Sequence, residues 1–137
     1  MTMTKTLMIV AELAVINWAL IVTASLIKAR AWTPTGMKDA LGNREQAIDC
    51  RGFPARTERA AKNMLETMVL FTALALVASI GGVTDPHVEL GARIFYWARL
   101  AYIPIYMVGS PVARTAVWAI SIIGMGMIFA AIVQALP

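Results

Sequence analysis

One cysteine and one histidine are all that this 137-residue chain offers to thiol or imidazole chemistry. Cys50 has no second cysteine to pair with, so an intrachain disulfide is excluded and the redox compartment stays open. His87 stands beside Pro86 with no second ligand near it. The nine methionines read as packing and lipid-facing filler, so no metal centre is expected. Charge is scarce too, at 15% of residues, against roughly 25% in a soluble domain. No A-x-A-like cleavage site follows the first apolar run, and that run is too long for the hydrophobic core of a signal peptide. It is read as a permanent helix. There is no internal repeat and no low-complexity tract, and nucleic acid is not an expected partner.

Apolar residues are abundant instead, at 59%. Crossing a bilayer takes about 20 of them in a row. Leu7–Ile27 supplies 21 residues with Glu12 and Asn17 as the strongly polar members, and Met64–Val83 supplies 20 with Glu66 near the start. Ala116–Leu136 supplies 21 without a charge. Val88–Val108 carries Glu89, Arg93, Arg99 and Pro104, but its aromatics (Phe95, Tyr96, Trp97, Tyr102, Tyr106) make it a fourth span. The expected fold is all-α, a single membrane domain over 1–137. Its four helices run roughly over 5–30, 56–81, 86–109 and 111–136, with a loop at 31–55.

Eight of the twelve basic residues lie in Lys28–Lys62, with the four acids Asp39, Glu45, Asp49 and Glu58. The second connection has one acid, Asp85, and no base; the third has one base, Arg114. The positive-inside rule puts the first and third connections in the cytoplasm and both termini in the periplasm, or in the lumen of a eukaryotic cell; a bacterial inner membrane is the expected setting. Thr33-Pro34-Thr35-Gly36 reads as a turn, Leu41–Arg44 as a second break, and Gly52-Phe53-Pro54 as a third, with the next helix starting near Thr57-Glu58. Gly81-Gly82 closes that helix. Asp85-Pro86 opens the next as cap and first residue, and Gly109-Ser110-Pro111 repeats the device. Small residues of the last span (Ser121, Gly124, Gly126, Ala130, Ala131) allow close approach by a helix of this chain or of a neighbour.

Three constellations can carry chemistry. Arg59, Lys62, Asn63 and Glu66 fall at i, i+3, i+4 and i+7, hence on one helix side. A solvated strip that binds lipid phosphate is the plain alternative, but Glu66 lies in apolar sequence where a carboxylate is costly. Arg99, Tyr102 and Tyr106 share a face of the third span. Arg99 sits mid-span and needs an internal partner, for which Glu66 is the candidate. Tying two helices together is the plain alternative there, and Pro104 frees a carbonyl nearby. Arg114-Thr115, with Trp118 one turn on, opens the last span; an interfacial anchor and aromatic belt is the alternative. All three lie on one side of the membrane and suit a small polyanionic ligand.

Arg59-x-x-Lys62-Asn63-x-x-Glu66-Thr67, then Arg99-x-x-Tyr102-x-x-x-Tyr106, then Arg114-Thr115, resembles the MAPEG family, membrane-associated proteins in eicosanoid and glutathione metabolism. Gly42–Glu45 resembles its bacterial members. The resemblance implies a four-helix homotrimer with glutathione as co-substrate between subunits. It implies a transferase or peroxidase of detoxification that attacks a lipophilic electrophile or lipid hydroperoxide drawn from the membrane lipids. By the same resemblance Arg59, Lys62, Asn63 and Glu66 hold the carboxylates and amino group of glutathione, joined by Arg30 or Lys28. Arg99, Tyr102 and Tyr106 belong to the third helix's part of the site. Arg114 favours the thiolate and Thr115 donates a hydroxyl. Lys62 replaces a common arginine, Tyr102 stands where some members carry histidine, Thr115 replaces serine and Trp118 replaces tyrosine. Two other readings compete: a small multidrug-type proton-coupled transporter using Glu12, and a non-catalytic binding protein of the same fold.

Overall fold

The computed structural model describes residues 4–42 and 48–136. Within them five helices follow in order: α1 (Lys5–Ala29), α2 (Pro34–Leu41), α3 (Phe53–Ile80), α4 (Pro86–Val108) and α5 (Pro111–Gln134). The described residues contain no strand. α1, α3 and α5 are long and apolar enough to cross a membrane, with mean hydropathies of 2.1, 1.7 and 2.3 over their most apolar stretches. α4 falls short of them in apolarity, although its 23 residues reach about 34 Å. Its charges are placed in different ways. Arg99 is wholly buried, while Glu89 near the start takes Lys5 of α1 at 3.1 Å and lies 3.9 Å from Arg93. The protein is therefore an all-α membrane protein, a four-helix bundle with a short extra helix in its long connection.

Local sequence explains most helix ends. Thr4 caps α1 by accepting the Leu7 amide, and Arg30 closes it in the left-handed region at φ 52°. The Thr33–Gly36 run, read above as a turn, opens α2 instead. Thr33 accepts the Gly36 amide at 3.0 Å and Pro34 takes the first position. Turn and helix start use the same residue types; the tertiary contact decides between them. Gly36 is seated on the end of α1, where a Cβ would overlap the carbonyl oxygens of Ala29 and Arg30. α3 begins at Phe53 rather than at Thr57. Gly52 makes the bend at φ 68°, Pro54 lies in the first turn, and the Thr57 hydroxyl donates to the Phe53 carbonyl inside the helix. Asn43–Glu45, the larger part of the Gly42–Glu45 element, lies outside the described residues. Cys50 is half-buried, its thiol donating to Glu58, which also binds Lys28 at 2.7 Å.

Asp85 caps α4. Its Oδ1 accepts the His87 amide at 2.8 Å and faces the His87 ring nitrogen at 2.7 Å. The amide bond, then the ring, hold the Asp85 carboxyl below its ordinary 3.8. A carboxyl depressed on folding stabilises the fold above its unfolded pKa, and the gain is lost as pH falls through the folded value. Asp85→Ala is therefore expected to melt below wild type at neutral pH, with the gap closing as pH drops below 3.8. Melting in detergent across pH checks this, and a gap independent of pH would contradict it.

α3 and α4 are central, each touching the other as well as α1 and α5, whereas α1 and α5 do not meet. Phe71 of α3 stacks on Phe95 of α4, centroids 4.2 Å apart and planes at 7°, and both are fully buried beside Leu13, Met64 and Ile128. α4 and α5 cross at two glycines. A Cβ on Gly91 would come within 2.5 Å of the Gly124 carbonyl oxygen, and one on Gly124 within 2.6 Å of the Gly91 oxygen. Of the small residues noted on the last span, Ser121, Gly124 and Ala131 are buried, while Gly126 and Ala130 are exposed. At this crossing small size serves contact within the chain.

Candidate functional site

The start of α3, the end of α4 and the start of α5 meet at one end of the bundle because Gly109-Ser110 joins the last two directly. Gly109 makes that reversal at φ 90°. Arg56 of α3 packs on it and donates from Nε to the Met107 carbonyl at 2.8 Å. A cation there satisfies one of the unpaired carbonyls that end α4 and complements its dipole. Arg56 drew no notice in the sequence beyond its charge, yet it lies seven residues before Asn63 and so shares its helix face.

Inside this junction is a cleft of about 280 Å³ lined by Asn63, Tyr102, Tyr106, Arg114, Thr115 and Trp118. Five of these are residues singled out as site candidates from sequence; Trp118 is the sixth lining residue. They come from three helices and are tied together by rings and cations. The Tyr102 and Tyr106 rings lie edge to face at 5.3 Å, and the Arg114 guanidinium sits 5.0 Å from the Tyr106 ring. Ser110 makes no side-chain cap on α5. The first turn of α5 therefore presents unpaired amides beside Arg114, a combination that attracts an anion. The Thr115 hydroxyl donates back to the Pro111 carbonyl at 2.9 Å, so in this arrangement it faces a ligand as an acceptor rather than as the expected donor.

The remaining candidates lie elsewhere. Arg99 is buried behind the cleft with no exposure. Its expected ion pair with Glu66 does not form. Arg99 Nη1 instead donates to Asn63 Oδ1 at 3.0 Å, and no ion pair among the described residues involves Glu66. The reason is angular. Residues 63 and 66 stand about 60° apart around the helix, and Asn63 is the one turned to α4. Glu66 is exposed but within electrostatic reach of Tyr102. Arg59 is exposed. Lys62, about 100° round from Asn63, lines a different cavity of about 380 Å³ between α1, α2 and α3, which Lys28 and Glu58 also line. Arg30 is exposed at the turn after α1, and Pro104 is exposed on α4.

The matched motif, now with its Asn63–Arg99 contact and its Tyr102–Tyr106–Arg114–Thr115 lining in place, sits in a stretch of 129 residues, 6–134, that fits the model of one family. The chain belongs to the MAPEG family. It is thus a membrane protein of the family of glutathione and eicosanoid metabolism. No curated protein matches it. In this MAPEG chain Glu12 is exposed on α1, in electrostatic contact with Tyr96 of α4, whereas Asn17 is buried. The two do not share an environment. Among the described residues no group of histidine, cysteine, aspartate or glutamate is arranged to hold a metal.

Proposed function

We propose that this protein is a glutathione-dependent membrane enzyme of transferase or peroxidase type that delivers a thiolate to lipophilic electrophiles or lipid hydroperoxides. One observation carries the reading: Asn63, Tyr102, Tyr106, Arg114 and Thr115 line a single cleft at the end of the bundle. Glutathione has two carboxylates, an ammonium group and a thiol. A thiol of pKa ~8.5 is mostly protonated at neutral pH, and an adjacent cation lowers that value. Arg114, beside the uncapped start of α5, is the cation suited to that task. The tyrosine hydroxyls and the Asn63 amide supply donors for carboxylate or peptide oxygens, and Glu66 supplies a partner for the ammonium. Trp118 gives the cleft an apolar side for the second substrate, and holding both at the membrane boundary raises their effective concentration.

Arg30, Arg59 and Lys62 lie off the cleft of their own chain, so in this reading they serve a glutathione shared with a neighbouring copy. The family resemblance makes that assembly a homotrimer with the tripeptide between copies, and the basic residues gathered in the first connection favour that connection cytoplasmic and both termini periplasmic, in a bacterial inner membrane. Calorimetry in detergent is expected to detect glutathione binding by the wild type, weakened roughly tenfold or more in Arg59→Ala and Glu66→Ala. No binding by the wild type would sink the reading. The Thr115–Pro111 bond favours one second reading, a binding protein without turnover. Binding without conjugation of a generic aromatic electrophile supports that one.

A further inference from the structure

Arg99 is the largest side chain that is fully buried. It is a cation inside a membrane bundle, yet among the described residues no carboxylate forms an ion pair with it. Nη1 has Asn63 Oδ1 at 3.0 Å, while Nε and Nη2 have no hydrogen-bond partner. The rings of Phe95 and Tyr102 lie 5.3 and 5.1 Å from its guanidinium carbon. A lone buried charge works against folding, so a purely structural role gives no physical reason for a cation at this position.

The bond to Asn63 supplies one. A carboxamide carries an acceptor at one end and two donors at the other, whereas guanidinium can only donate. Arg99 therefore fixes which end of Asn63 it holds, and Asn63 also lines the cleft. With Oδ1 taken, the group left for a ligand is Nδ2, a donor. We propose that Arg99 is a positioning residue that never touches the ligand. It locks the Asn63 amide as a donor toward the cleft, steadies the Tyr102 ring through its cation–π contact, and leaves the interior one negative charge short. An anionic ligand makes up that shortfall. The inference rests on the glutathione reading, and it assigns Asn63 Nδ2 to a carboxylate or peptide oxygen of the tripeptide.

The test combines melting with ligand binding. Asn63→Asp places a carboxylate against Arg99. It is expected to melt above wild type in detergent while binding glutathione roughly tenfold more weakly or worse, because the donor has become an anion. Arg99→Met is expected to keep or raise the melting temperature. It should raise the KM for glutathione (or its Kd, without turnover) roughly tenfold and leave kcat nearly unchanged. In an Asn63→Ala background the same substitution should raise KM by clearly less, since the larger part of its effect passes through Asn63 and only the Tyr102 contact and the charge remain. Arg99→Lys keeps the charge and one donor, and should restore part of the affinity; it carries the test if Arg99→Met does not fold. A KM effect of Arg99→Met undiminished in Asn63→Ala, or a fall in kcat and melting temperature with KM unchanged, overturns the proposal. So does Asn63→Asp melting no higher than wild type, a result independent of glutathione. Absence of glutathione binding by the wild type overturns the functional reading instead.

Discussion

Arg114→Ala is expected to lower glutathione turnover about 100-fold at neutral pH, the scale seen when one donor facing a developing or bound anion is removed. The reasoning starts from the place of the side chain. Arg114 lines the cleft, its guanidinium rests on the Tyr106 ring at 5.0 Å, and the start of α5 beside it lacks a side-chain cap. The open helix end beside Arg114 adds potential of the same sign. A thiol there ionises more readily, and removing the guanidinium takes away the larger part of the effect. The sign with pH follows. Without Arg114 the thiol's pKa returns toward ~8.5, so the variant should regain activity as pH rises while wild type changes little. The KM for glutathione should move less than kcat, because the donors proposed to hold the carboxylates and peptide remain. Rates over a pH series, with the ultraviolet absorbance of bound thiolate as a direct readout, check the assignment. Unchanged turnover in Arg114→Ala would show that another group stabilises the thiolate.

The second large effect concerns the scaffold. Gly124→Leu is expected to destroy the pairing of α4 with α5 and to leave little folded protein. A Cβ at Gly124 already meets the Gly91 carbonyl oxygen at 2.6 Å and the Phe95 amide nitrogen at 2.9 Å. Both are main-chain atoms of a helix packed on three others, so neither can step aside as the end of a flexible side chain would. Overpacking of a tight core costs about 1–3 kcal/mol and sometimes more; a leucine against backbone belongs at the upper end. Since α4 and α5 supply Tyr102, Tyr106, Arg114 and Thr115, separating them also dismantles the cleft. Gly126→Leu is the control, because nothing stands within 4 Å of a Cβ there. Melting and size-exclusion profiles in detergent should separate the two variants widely. Similar profiles would mean that the crossing at Gly91 and Gly124 does not hold the bundle together.

The helix ends were legible because their signals are chemical and local. Asp85-Pro86, Gly81-Gly82 and Gly109-Ser110-Pro111 each mark a boundary that the structure keeps. The start of α2 was misread because a Thr-Pro pair serves a turn and a helix N-terminus equally, and only the seat of Gly36 on Ala29 and Arg30 separates them. The site was legible in part. The spacing of Arg59, Lys62, Asn63 and Glu66 gathers them on one side of a helix, but that side is wide. Lys62 and Asn63 are about 100° apart, enough for one to line the α1–α2–α3 cavity and the other the cleft. Arg56 escaped notice because its acceptor, the Met107 carbonyl, is a main-chain atom remote in sequence.

By itself the amino-acid sequence determined an all-α membrane chain, most of its helix boundaries, the concentration of basic residues in one connection, and the set of side chains with chemistry to offer. Hydropathy and capping act within a few residues of their cause, so a linear reading captures them. The tertiary structure alone decided that Arg99 answers to Asn63 and not to Glu66, that Arg114 lies on Tyr106, and that Arg59, Lys62 and Arg30 stand outside the cleft. Those outcomes depend on how each helix is rotated about its axis. That rotation is set by main-chain contact at Gly91 and Gly124 and by the stacking of Phe71 on Phe95, contacts between residues that no local pattern relates.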